Sequence, residues 1–202
     1  MNFRDLYKTI EKNKYYVFSF EDLLSFYPNE KRENLKAMLY RWKQKKWLCS
    51  LKRGLYEIIY PKDFNIPDMY ISNVLYSPSY VSLETALSNY SIIPEVSMNV
   101  TSITTKPTRN IRNKHGLFIY HTVKQEAFTG YHIETHQGFS VRIAEPEKAF
   151  IDFLYFKSYR NQKFNISEER INKDRIAGMN KRKLSAYAKL YNMDLKKFYA
   201  HL

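Results

Sequence analysis

Between Lys31 and Arg53 the chain carries nine lysines and arginines and one acid, Glu33. A solvated helix face normally mixes charge signs for i, i+4 pairing. This stretch hardly does, and cations at such density point to a polyanion, nucleic acid first. The residue types divide the work. Asn34, Tyr40 and Arg41 carry groups that reach base edges, asparagine pairing with adenine and arginine with guanine. Lys36, Lys43, Lys52 and Arg53 suit phosphates and register. Lys31, Arg32 and Gln44 complete the candidate DNA-contact set. Asn34 as a solvated early-helix residue and Tyr40 as a ring packed on the domain edge are equally open readings.

The elements that must position these groups can be read from the same stretch. Leu35, Met38, Leu39 and Trp42 recur at i, i+3, i+4, i+7 and share one face of a helix. The strand-like runs Trp47–Leu51 and Leu55–Ile59 flank Lys52-Arg53-Gly54, where glycine is free to take positive φ in a hairpin turn. Upstream, Phe3, Leu6, Tyr7 and Ile10 predict a first helix to about Lys12. Ser19 with Asp22 reads as a capping box opening a second helix, which stops at Tyr27-Pro28. Three helices and a hairpin with cations at its tip predict a winged helix-turn-helix over residues 1–66. Its third helix would enter the major groove, and its hairpin tip would touch a neighbouring phosphate or the minor groove.

Pro61 to Pro67 reads as a linker. From residue 67 to 157 the pattern predicts helices at Met69–Tyr76 and Ser79–Tyr90, the latter with Ser82 as N-cap. Strands follow at Val100–Thr105, Asn110–Arg112, Leu117–Val123, Tyr131–Thr135 and Phe139–Ala144, expected as a mostly antiparallel sheet. Pro146 opens a helix that runs through Phe156. Residues 158–202 read as a basic extension with helices at Ser167–Ala177, Lys181–Tyr191 and Asp194–Leu202. The fold class expected is α+β.

Hydrophobic residues make up 44% and aromatics 16% of the 202 residues, enough for a packed core rather than disorder. The net charge of +13 is unevenly spread: +6 over residues 1–66, −1 over 67–152 and +8 over 153–202. One cysteine, Cys49, cannot close an internal disulfide and points to a reducing compartment. No run approaches the ~18 apolar residues of a membrane span, and the first residues lack an export signal's apolar core. A cytoplasmic location is expected.

Other chemistries lack their residues. Five scattered glycines form no phosphate loop. His115, His121, His132, His136 and His201 show no zinc-ligand spacing; His132 and His136 bracket a turn and read as exposed. Cys49 reads as a small apolar strand residue. Glu84, Glu145, Glu147 and Asp152 lack the spacing of a metal-dependent nuclease, and Glu147 and Asp152 are five apart on a helix. No catalytic residue, metal or cofactor is expected.

Four separated motifs carry a resemblance: Ser79-Tyr80-Val81-Ser82-Leu83-Glu84-Thr85-Ala86-Leu87, Ile92-Ile93-Pro94-Glu95, Thr101 to Lys106, and Glu145-Pro146-Glu147-Lys148-Ala149. In order and spacing they resemble the AbiEi family of antitoxins, also described as predicted transcriptional regulators of viral defence systems. The resemblance covers most of residues 1–157. It implies an N-terminal winged helix joined to an antitoxin domain, here residues 67–157. It also implies repression of a toxin–antitoxin (abortive infection) operon by binding inverted repeats in its own promoter, and a nucleotidyltransferase-like toxin that is countered without need of a stable complex. Two positions depart from the pattern. Ser91 stands where relatives often have glycine, and Glu145 stands where a cap such as threonine often precedes Pro-Glu-Lys-Ala.

Two other readings compete. In one, the protein neutralises a toxin by direct contact, its basic C-terminal segment gripping an acidic surface through Arg160, Lys163, Arg170, Lys181, Arg182 and Lys183. In the other, tyrosine-rich helices stack the bases of RNA, although no RNA-binding motif is present.

Overall fold

The computed structural model describes residues 2–61, 64–94, 98–160, 166 and 169–195. It divides into two compact units, Met1–Asn65 and Ile66–Leu202. Among the described residues the protein is mixed α and β, with eight α-helices and two sheets.

The first unit runs α1 (Phe3–Asn13), β1 (Val17–Ser19), α2 (Phe20–Phe26), α3 (Arg32–Gln44), β2 (Leu48–Lys52) and β3 (Leu55–Ile58). Its three strands lie in the order β1-β3-β2, both pairings antiparallel. Local chemistry sets the helix ends. Asn2 and Asp5 form a capping box at α1, and Lys14 in the left-handed region closes that helix. Ser19 and Asp22 form the expected box at α2. Leu6, Ile10, Phe18, Leu23, Leu35 and Ile58 are 0% exposed and tie the helices to the sheet. Each such side chain contributes about 1.5–3 kcal/mol by leaving water.

The second unit runs α4 (Asp68–Leu75), β4 (Ser79–Val81), α5 (Leu83–Asn89), β5 (Val100–Thr104), β6 (Arg109–Asn113), β7 (Gly116–Thr122), β8 (Tyr131–His136), β9 (Phe139–Ala144), α6 (Pro146–Arg160), α7 (Lys173–Ala177) and α8 (Lys181–Leu190). Its strands lie in the order β6-β7-β5-β4-β9-β8. β4–β5, β6–β7 and β8–β9 pair antiparallel, while β4–β9 and β5–β7 pair parallel. The sheet is therefore more mixed than the turn pattern suggested.

Ser79-Tyr80-Val81 is a correction. Expected as the start of a helix, it is a strand between β5 and β9 with every residue buried. A short strand buried on both faces shows no alternation, so periodicity cannot separate it from a helix segment. Ser82 is the N-cap residue of α5, yet its side chain makes no capping bond; its hydroxyl is used elsewhere. Ser91 has φ of 55°, in the left-handed region that glycine adopts more readily than serine.

Residues beyond 157 contribute to the same core. Ile176, Met179, Leu184 and Ala188 pack in it with Phe150 and Phe153 of α6. The helix expected at Ser167–Ala177 is only Lys173–Ala177, started by Asn172, whose side chain accepts from the backbone of Asp174 and Arg175. Ser167 and Glu168 lie outside the described residues. So does the expected helix Asp194–Leu202, save Asp194 and Leu195, which are not helical.

Candidate nucleic-acid interface

α3 turns Leu35, Leu39 and Trp42 into the first unit's core. Helical geometry then sets the rest of its surface. Glu33, Ala37, Tyr40 and Gln44, at i, i+4, i+7 and i+11, form the stripe directly opposite. Lys36 and Lys43 share one flank of that stripe, and Asn34 and Arg41 share the other. All ten candidate DNA-contact residues are exposed: Lys31, Arg32, Asn34, Lys36, Tyr40, Arg41, Lys43 and Gln44 at α3, and Lys52 and Arg53 at the hairpin. Tyr40 is 65% exposed, so its ring is not packed on the domain edge.

Arg32 differs from the others. Its guanidinium donates to Glu21 at 3.2 Å and lies 5.1 Å from the centre of the Phe20 ring, so it braces the start of α3 against α2. This exposed pair is weak. Sequence reasoning missed Ala37, whose small side chain at the centre of the stripe permits close approach to a base edge or a thymine methyl group.

The hairpin turns in two residues, Arg53 and Gly54, between the paired Lys52 and Leu55. Gly54 takes φ of 77° with nothing near its missing Cβ, so the requirement for glycine there is conformational. A bulge lies between Ser50 and Lys52, and the Ser50 hydroxyl donates to the Lys52 carbonyl at 2.8 Å. The tip thus holds Lys52 and Arg53 at the solvent end of a twisted ribbon.

Of the candidate partner-contact residues of the second unit, Lys181, Arg182 and Lys183 share the first turn of α8. Lys183 Nζ donates to Glu145 at 2.9 Å, and the Tyr187 hydroxyl donates to the same carboxylate oxygen at 2.7 Å. Burial pushes the Glu145 carboxyl up, but those two hydrogen bonds together with the charges of Lys183 and His132 outweigh it and hold it below the usual carboxylate range. Glu145 therefore fastens α8, and Lys183 is part of that fastening. The ring of Tyr187 lies over Gly130, where a Cβ would come within 2.7 Å of it. Lys181 and Arg182 are exposed on the first turn of α8, and Arg170 is exposed before α7. Lys163 and the side chain of Arg160 lie outside the described residues.

Sequence reasoning missed two clusters. In the first, Asp152 of α6 is 0% exposed and accepts four hydrogen bonds. Its Oδ2 accepts from the Ser82 hydroxyl at 2.8 Å and the Tyr80 hydroxyl at 3.2 Å. Its Oδ1 accepts from the Tyr191 hydroxyl at 2.6 Å and from the ammonium of Lys148, which is also 0% exposed. Lys148 Nζ donates to Tyr191 at 3.0 Å and lies 4.9 Å from the centre of that ring. Burial pushes the Lys148 ammonium below its ordinary value of 10.5, with Asp152 opposing. Burial likewise drives the Tyr80 and Tyr191 phenols well up. Serine, lysine and aspartate in contact can perform nucleophilic chemistry, but side chains closed from solvent admit no substrate. The cluster pins α6, β4 and the end of α8 to one another. The i, i+4 spacing of Lys148 and Asp152 was its visible trace.

The second cluster lies on the edge strand β8. His132 and His136 place Nε2 2.7 and 3.0 Å from the two oxygens of Glu134, and the Tyr90 hydroxyl donates to Glu134 at 3.0 Å. Burial pushes this carboxyl up, and the hydrogen bonds bring it net below its usual range. Both histidines are partnered rather than merely exposed. Among the described residues no group of three His, Cys, Asp or Glu is set to hold a metal ion, and no helix is long and apolar enough to cross a membrane.

A scan against models of known protein families finds no match to this chain, and a search of curated protein sequences finds none either.

Proposed function

We propose that residues 1–66 are a winged helix-turn-helix that binds duplex DNA, and that the protein is a transcriptional repressor and antitoxin of a toxin–antitoxin operon. The observation that carries the DNA reading is the exposed, one-signed surface of α3 and the β2–β3 hairpin. Nine cations and one acid lie between Lys31 and Arg53, around a helix that buries Leu35, Leu39 and Trp42. The order of elements, helix-strand-helix-helix-strand-strand with β3 central, supports the winged-helix assignment. In this reading α3 enters the major groove, Tyr40 and Ala37 face the bases with Asn34, Arg41 and Gln44, and Lys36, Lys43, Lys52 and Arg53 hold phosphates. Repression of its own promoter and action against a nucleotidyltransferase-like toxin rest on the AbiEi resemblance, whose four motifs lie within residues 79–149. Action in the cytoplasm rests on the single cysteine and the lack of an apolar span in the sequence. The reading as a non-enzyme rests on the lack of a catalytic spacing among its acids, histidines and cysteine.

Two substitutions separate the roles. Arg41→Ala should weaken binding to the promoter repeats by about 1–3 kcal/mol and relax preference at one base pair. Lys52→Ala should weaken binding equally on all sequences and lower the slope of log K against log salt by about one unit. Anisotropy titrations on the upstream duplex and a scrambled duplex read both, and two unchanged variants would refute the assignment.

Toxin neutralisation through basic C-terminal contacts is the second reading. Lys183, bound to Glu145, is weak support for it, whereas Lys181 and Arg182 remain presented to solvent. Truncation at residue 157 is no clean test, because it removes Leu184 and Ala188 from the core. Charge removal at Lys181 and Arg182 is the sound variant.

A further inference from the structure

Within the first unit, α1, α3 and the strand ends leave a groove of about 890 Å³. Its floor is aromatic. The Phe3 ring lies 4.6 Å from Trp47 and 5.4 Å from Trp42, and the Tyr60 ring is nearly parallel to Trp47 at 6.4 Å. Met38 also lines the groove, and Tyr60 is 58% exposed. Three cations, Arg4, Arg41 and Lys45, stand among the lining residues, and among the described residues no acid does. Lys45 Nζ already sits 4.6 Å from the centre of the Trp47 ring.

An aromatic floor selects a flat apolar body. A rim of cations without a counter-charge selects a negative one. The volume is that of a small-molecule pocket, for which about 300–1,000 Å³ is usual. We propose that this groove binds a small aromatic anion, and that its occupant competes with DNA for Arg41. The competition rests on the DNA reading of α3; the binding site does not. Arg41 lies on the groove side of α3, on the same flank as Asn34. A carboxylate or sulfonate paired with its guanidinium takes that donor away from a base or phosphate. The groove is thereby an effector site through which a small metabolite of this chemistry would release the protein from its operator.

The chain's two tryptophans, Trp42 and Trp47, both line the groove, so tryptophan emission originates there. The test titrates the full chain with 1-anilinonaphthalene-8-sulfonate, an aromatic anion, and reads energy transfer from the tryptophans. N-phenyl-1-naphthylamine, the same aromatic body without the sulfonate, is the matched neutral probe. The expected result is saturable binding of the anion, at least about tenfold tighter than the neutral probe. Arg4→Glu combined with Lys45→Glu should remove that preference without changing circular dichroism, since both side chains are exposed; the lost contact of Lys45 with the Trp47 ring should lower the thermal transition only slightly. Equal binding of the two probes, or an unchanged preference in the charge-reversed variant, overturns the site. Upstream duplex added to the loaded chain should then raise the anion's apparent Kd. Duplex that binds without displacing the anion overturns the competition and leaves the site standing. A chain that binds no duplex at all removes the DNA reading and the competition together, and the first titration still decides the groove.

Discussion

Asp152→Ala is expected to cost the second unit about 3–5 kcal/mol, because it leaves an ammonium buried without its counter-charge. The side chain removed accepts from Lys148, Tyr191, Ser82 and Tyr80 at once, and Lys148 and Asp152 are both closed from solvent. Tyr191→Phe removes one donor and leaves the ion pair intact, so it should cost only about 1–2 kcal/mol. Replacing both members of the pair, Lys148→Met with Asp152→Leu, should recover only part of the loss of the single variant: the uncompensated ammonium is gone, but the hydroxyls of Ser82, Tyr80 and Tyr191 still lose their acceptor. Urea unfolding of the full chain reads all three. An Asp152→Ala variant within about 1 kcal/mol of the native protein would mean that water reaches the cluster.

The same cluster makes a pH prediction. Lys148 is held below its ordinary 10.5, first by burial and against the pull of Asp152. Between its folded value and its unfolded one, the unfolded chain binds the proton more tightly, so this group's contribution to stability rises with pH across that interval and is lost as pH falls through the folded value. Asp152→Asn keeps the shape and removes the charge that raises Lys148, which widens the interval downward. The deficit of that variant should therefore shrink between about pH 7 and about pH 10.

The second large effect belongs to the DNA face. Lys36→Ala, Lys43→Ala, Lys52→Ala and Arg53→Ala together should flatten the salt dependence by about 3–4 units of log K per log salt, and weaken binding roughly 10³-fold near 0.1 M salt. All four side chains are exposed, so the thermal transition should not move. Loss of affinity with an unchanged slope would mean that these cations do not meet phosphates, and the proposed orientation of α3 and the hairpin would fail.

These effects arise from features that differ in how visible they were in the sequence. The capping pair Ser19 and Asp22, the stripe Leu35-Leu39-Trp42 and the glycine at the hairpin tip are short-range, and each could be read from spacing. β4 could not, because Tyr80 and Val81 are strand residues only by virtue of β5 and β9 beside them. The Asp152 pin joins residues seventy positions apart in the case of Ser82 and Asp152, and no local pattern encodes such a pairing. Lys181, Arg182 and Lys183 look alike in sequence, yet only Lys183 meets Glu145. Arg32 resembles its basic neighbours and is distinguished only by Glu21 and Phe20 of α2. The aromatic groove likewise needs α1, α3 and Tyr60 brought together before it exists.

The most direct test of the central claim is an anisotropy titration of the full chain on duplex DNA from its own upstream region and on a scrambled duplex, at two salt concentrations. The account predicts a preference of roughly 10³ or more for the upstream duplex that persists at the higher salt. Equal and steeply salt-dependent binding to both would contradict it. The cations of α3 and the hairpin would then be a non-specific electrostatic surface, with no operator for the protein to read.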